Sequence, residues 1–75
     1  MEEITYGMAV MDKDSRRLGN IEKIVMDAWT GKPRKYMALT EDRSDAFFFS
    51  PAQVASVDNG TVKLALAREE LEQTT

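Results

Sequence analysis

The sequence contains no cysteine and no histidine. The first absence excludes disulfides and thiolate metal sites. The second removes the side chain most used as a general base and metal ligand near neutral pH. No apolar run approaches the roughly 20 residues that a membrane-spanning helix needs. No glycine-rich loop of the Rossmann or P-loop kind occurs. Asp12 and Asp14 have the spacing that opens a calcium loop. The sixth position of such a loop requires glycine and is Arg17, and the twelfth requires glutamate and is Lys23. The remaining carboxylates fall mostly in turns. The sequence therefore predicts no catalytic residue, no metal and no cofactor, and the chain is read as not an enzyme.

What is present fits one small domain over residues 1–75, with a core at about residues 7–66 and a tail at 67–75. A chain this short buries only about 60% of its unfolded surface. Domains of this size lean on disulfides, metals or self-association, and the first two supports are missing, so a homo-oligomer, a dimer first, is expected. The net charge is −3, an ordinary surface for a soluble protein. It is unevenly spread: from Lys13 to Lys35 seven basic residues face three acidic ones, and from Tyr36 onward three basic face seven acidic. Such a split either gives ordinary mixed hairpin surfaces or one basic and one acidic face suited to a partner. Met1-Glu2-Glu3-Ile4 lacks the apolar core of a secretory signal, and the expected location is cytoplasmic.

Turn signals recur about every ten residues: Asp12-Lys13-Asp14-Ser15, Thr30-Gly31-Lys32-Pro33, Glu41 to Asp45, and Asp58-Asn59-Gly60. That spacing predicts an all-β domain of hairpins. Met8–Met11 reads as a first strand and Leu18–Asp27 as a long second one. Ile21, Ile24, Val25 and Met26 do not alternate there, and a bulge near Glu22-Lys23 restores the period. A helix would also bring Leu18, Ile21 and Val25 to one face, but Gly19 and the β-branched residues oppose it. Arg34–Thr40 is a third strand with both faces apolar. Ala46–Phe49 is a fourth. Ser50-Pro51 opens one short helical turn that places Val54 and Val57 inward. Asn59-Gly60 is a tight turn, and Thr61–Leu66 is the last strand. Ala67 to Gln73 is charged and permits either a short C-terminal helix or a frayed end.

The order Gly7-x-x-Val10, Leu18-Gly19-x-Ile21, an apolar stretch ending in Asp27, Gly31, Ser50-Pro51 with Val54 and Val57, then Val62-x-Leu64 resembles the PRC-barrel family. That family includes the cytoplasmic domain of the reaction-centre H subunit and the C-terminal domain of a ribosome-maturation factor. The resemblance implies a small β-barrel of about six strands acting as an adaptor or scaffold. It carries over no catalytic residue. Trp29 and the run Phe47-Phe48-Phe49 depart from the common pattern.

Those departures supply the candidate partner-binding residues. If Phe47 and Phe49 fill the barrel, Phe48 points outward. Phe48 is then either covered by the tail or the short helix, or it is an aromatic anchor. Trp29 either packs back over a barrel end, the commoner role, or anchors a partner. Beside it, Lys32, Arg34 and Lys35 form a short basic cluster. The expected function is a non-catalytic adaptor that binds a protein or itself. An RNA- or ribosome-associated module built on Trp29 and the basic cluster is the alternative, and a small-molecule binder in the barrel mouth the second.

Overall fold

In the computed structural model, which describes residues 3–74, the β-branched and aromatic runs form seven strands. They are β1 Ala9–Met11, β2 Arg17–Met26, β3 Pro33–Leu39, β4 Ala46–Phe49, β5 Val54–Asp58, β6 Thr61–Leu64 and β7 Glu72–Thr74. Single 3-10 turns, Pro51–Gln53 and Arg68–Glu70, precede β5 and β7. One sheet holds all seven in the order β5-β6-β1-β2-β3-β4-β7. The pairs are antiparallel except β1 with β6, which run parallel with Val10 opposite Val62. Among the described residues no ladder joins β5 to β7, and no helix is long and apolar enough to cross a membrane.

The all-β expectation holds, and the long second strand carries the bulge its sequence required. Its register with β3 shifts between Ile21 and Lys23, and again between Val25 and Met26. The first shift returns Ile24 to the inner face beside Tyr36. The core draws on every part of the sheet: Val10, Leu18, Ile21, Tyr36, Ala38, Phe47, Phe49, Val57, Val62, Leu64 and Leu71 are buried. Tyr36 and Phe49 stack with ring centroids 5.3 Å apart.

Two expectations are corrected. Val54–Asp58 is a strand, not the continuation of a helical turn. The turn ends at Gln53, and Asn59 and Gly60, at φ 50° and 73°, close a hairpin that pairs β5 with β6. One turn of helix has no cooperativity to hold it, whereas Val54 and Val57 suit a pleated surface. Val57 still points inward, as expected. The C-terminal segment forms neither an α-helix nor a frayed end. It makes a single 3-10 turn, buries Leu71, and adds β7 to β4, bringing the strand count to seven rather than about six.

That segment is held by a buried carboxylate. Asp12 is excluded from solvent. Its Oδ1 accepts from the backbone N–H groups of Asp14 (3.0 Å) and Arg16 (2.8 Å). Its Oδ2 accepts from Arg16 Nε (2.8 Å) and from the backbone N–H of Arg68 (2.9 Å). Arg16 then forks onto Glu69, Nη1 to Oε2 at 2.8 Å and Nη2 to Oε1 at 2.6 Å. Burial pushes the Asp12 carboxyl up, but the donors from Arg16, Arg68 and Asp14 outweigh it and leave it below the ordinary carboxylate range. Arg16 likewise brings Glu69 down to about 2 from 4.5.

Gly19 explains its own place in the chain. Its φ is +147°, and a Cβ there would collide with the Leu39 carbonyl oxygen and sit 2.6 Å from the Leu39 carbonyl carbon. Gly19→Ala is expected to cost about 3 kcal/mol, combining backbone strain with overpacking against main chain that cannot retreat. Urea denaturation measures it, and an unchanged midpoint would contradict the close approach.

The acid range tests the Arg16–Glu69 clamp. Because folding depresses the Glu69 pKa, its stabilisation is complete above the unfolded value of about 4.5 and is lost as pH falls toward 2. The thermal midpoint is expected to fall over that window. In Glu69→Gln it should start lower at neutral pH and fall less steeply. Since both side chains are partly exposed, the difference should shrink in high salt.

Candidate functional site

The β2–β3 hairpin runs past the core. Ile24 opposite Tyr36 is its last inward pair in the core cluster, and Val25–Lys35 and Met26–Pro33 lie beyond. The connecting turn is built on Asp27. Its Oδ1 accepts from the N–H groups of Trp29 (2.8 Å) and Thr30 (3.1 Å), and its carbonyl oxygen from Gly31 (2.9 Å). Asp27 N–H donates to the Lys32 carbonyl at 2.8 Å, and Lys32 N–H to Thr30 Oγ1 at 3.2 Å. Led by the N–H groups of Thr30 and Trp29, these donors hold the Asp27 carboxyl below its ordinary range. The backbone of the tip is thus fixed while the indole it carries is free.

Trp29 is 96% exposed. At that exposure the ring does not pack back over a barrel end, the commoner of its two expected roles. Val25 and Met26, at 40% and 52% exposure, accompany it at this end of the hairpin. Tyr6 is the remaining large apolar side chain exposed among the described residues.

Phe47 and Phe49 point inward and Phe48 outward, as alternation requires. Register places Lys23, Met37, Phe48 and Glu72 in one row across β2, β3, β4 and β7. Phe48 is half-buried. Lys35 Nζ lies 4.9 Å from its ring centroid and 2.8 Å from Glu72 Oε2. Lys35 from β3 lies over the ring, and Glu72 from the tail is its cross-strand neighbour.

A hollow of about 210 Å3 opens beside this ring, lined by Arg34, Lys35, Phe48, Phe49, Ser50, Gln53 and Glu72. The structure thus gathers three of the five candidate residues, Arg34, Lys35 and Phe48, and leaves Trp29 and Lys32 on the turn. Sequence reading missed Ser50, Gln53 and Glu72 as part of the site. The Ser50-Pro51-x-Gln53 spacing was a usable signal: Gln53 Oε1 accepts from Ser50 N–H at 2.8 Å, fixing both residues at the rim. Glu72 had none, since it reaches the hollow only through β7.

The uneven charge along the chain is matched only in part inside the fold. Lys13 pairs with Glu70 at 3.8 Å, Arg16 with Glu69, and Lys35 with Glu72. Among the described residues, Arg17, Lys23, Lys32, Arg34 and Lys63 form no ion pair within 4.0 Å, and Lys23, Lys32 and Arg34 lie toward the turn of the β2–β3 hairpin. Three unpaired cations thus accompany Trp29 on the β2–β3 hairpin. The calcium-like Asp12-x-Asp14 spacing is accounted for by the Asp12 turn. Comparison with protein-family models, curated proteins and solved structures finds no match to this chain.

Trp29 is the only tryptophan, so its surroundings can be read directly. At dilutions where the chain is monomeric, its emission in the folded protein should match free indole in water and barely move on unfolding in urea. Asp27→Ala, which frees the turn, should lower its fluorescence anisotropy. A blue-shifted native emission would mean that the ring is covered in solution.

Proposed function

We propose that this chain is a non-catalytic binding module of PRC-barrel type, a cytoplasmic adaptor that captures a protein partner, or a second copy of itself, at the Trp29 end of the β2–β3 hairpin. The observation that carries the reading is an almost fully exposed tryptophan on a hydrogen-bonded, rigid turn. Tryptophan is enriched among the few residues that dominate binding energy, and a fixed backbone lowers the entropy lost on association. The flanking Val25 and Met26 extend the apolar contact, and Lys23, Lys32 and Arg34 supply a charged rim.

The shifted carboxylates support a role without chemistry. Asp12, Asp27, Asp42 and Glu69 are all held low by hydrogen bonds that build turns or the C-terminal clamp. These four carboxylates are thus engaged in holding the fold. The hollow, at about 210 Å3, is below the roughly 300–1,000 Å3 usual for small-molecule sites, which favours a single side chain over a free ligand. An RNA-binding role would use the same tryptophan and cations, and its signature would be affinity that falls steeply with salt and is lost after nuclease treatment.

The test is capture by the tagged protein from native lysate after nuclease treatment, followed by affinity measurement with the purified partner. Trp29→Ala should weaken binding by about 2 kcal/mol or more, near thirtyfold. Its circular dichroism and urea midpoint should stay unchanged, since the ring contributes nothing to the core. Undiminished capture by this variant would move the interface elsewhere.

A further inference from the structure

From the same end of the molecule we infer that the hollow between β3, β4, the Pro51–Gln53 turn and β7 receives a carboxylate side chain from an acidic segment of the partner, with Arg34 as its principal counter-charge. The inference rests on the adaptor reading and specifies its partner. Arg34 lines the hollow and has no ion-pair partner among the described residues. A guanidinium offers a planar fork that suits a carboxylate. Beside it stands the Gln53 amide, whose Oε1 accepts from both the Ser50 N–H (2.8 Å) and the Ser50 hydroxyl (3.5 Å) and whose Nε2 is left to donate. Phe48 and Phe49 supply apolar wall for the methylene groups of a glutamate.

Charge complementarity selects the class of occupant. The chain carries −3 overall, yet this end presents Lys23, Lys32 and Arg34 unpaired. The Asp27 carboxylate there accepts from turn N–H groups and is also felt electrostatically by Arg34, which an incoming carboxylate must therefore draw toward the hollow. An acidic segment is thus attracted here and repelled by much of the remaining surface, which fixes its orientation as well as its place. Glu72 acts as an internal competitor. It holds Lys35 at 2.8 Å and adds a negative charge to the hollow, so an incoming carboxylate meets Arg34 first and contends with Glu72 for Lys35.

The experiment follows backbone amide resonances of the whole chain during titration with a synthetic peptide of alternating glutamate and leucine, and with its glutamine counterpart. The glutamate peptide should shift the amides of Arg34, Lys35, Phe48, Phe49, Ser50 and Gln53, and the glutamine peptide should not. Arg34→Ala, at an exposed rim position, should weaken the glutamate peptide about tenfold or more without changing the fold. Glu72→Gln should tighten it several-fold, a gain that a merely structural role for the Lys35–Glu72 pair would not produce.

Equal response to the two peptides overturns the inference. So does an Arg34→Ala variant with undiminished affinity, movement of these amides by oligouridylate alone, or their movement on simple dilution, which would make the occupant a second copy. Failure here is separable from failure of the adaptor reading. If Trp29→Ala abolishes capture of a partner while Arg34→Ala and Glu72→Gln leave it unchanged, the hollow is wrong and the adaptor stands. Capture of no protein at all removes the adaptor.

Discussion

Taking a carboxylate wholly out of water is costly unless its oxygens are met by donors, and Asp12 meets that condition with groups from two distant parts of the chain. Asp14 and Arg16 belong to its own turn, while Arg68 lies 56 residues away. The last donor can be supplied only when the segment after β6 folds back over the β1–β2 turn. Arg16 strengthens that return by bridging Asp12 and Glu69. Once the 3-10 turn at Arg68–Glu70 is fixed, Leu71 enters the core and Glu72–Thr74 is delivered to the free edge of β4. In a domain this small, with no cysteine in its sequence and no cluster of metal-ligating side chains among its described residues, one satisfied polar cluster thus does what a covalent link does elsewhere.

The parts of the fold legible in the sequence are those specified by local chemistry. Asn59-Gly60 announced a turn because both residues tolerate positive φ, and both take it. The irregular spacing of Ile21 and Ile24 announced a bulge because period two cannot otherwise bury both, and the register shifts there. Phe47 and Phe49 were readable as core for the same reason. What was not legible depends on contacts far apart in sequence. Val54 and Val57 suit a strand, but the Ser50-Pro51 helix start just before them pointed the other way, and the pairing of β5 with β6 decides it. Ala67–Gln73 reads as helix-permissive because its strand partner, β4, and its anchor, Asp12, lie more than twenty residues away.

The candidate site divides along the same line. Arg34, Lys35 and Phe48 were visible as charge and aromatic content, and the antiparallel register of β3 with β4 brings them together. Their common hollow was invisible because it needs Glu72 from β7 and Gln53 from the turn before β5. Trp29 was visible as an unusual residue but ambiguous in role. Its exposure follows from how far the hairpin outruns the core, and that length depends on the paired register of Val25–Lys35 and Met26–Pro33.

The two halves of the site stand in different relations to the fold. The indole of Trp29 makes no contribution to the core, so its apolar surface is released from water only on binding, and the turn beneath it is already ordered by Asp27. The hollow, in contrast, borrows Glu72 from the strand that the Asp12 cluster holds in place. Loosening that cluster would leave the tip intact while removing one wall of the hollow and releasing Lys35 from its partner. The contact proposed for the tip is therefore independent of the C-terminal segment, and the charge selectivity proposed for the hollow is not. Whatever weakens the Asp12 cluster should blur discrimination among acidic partners before it abolishes binding.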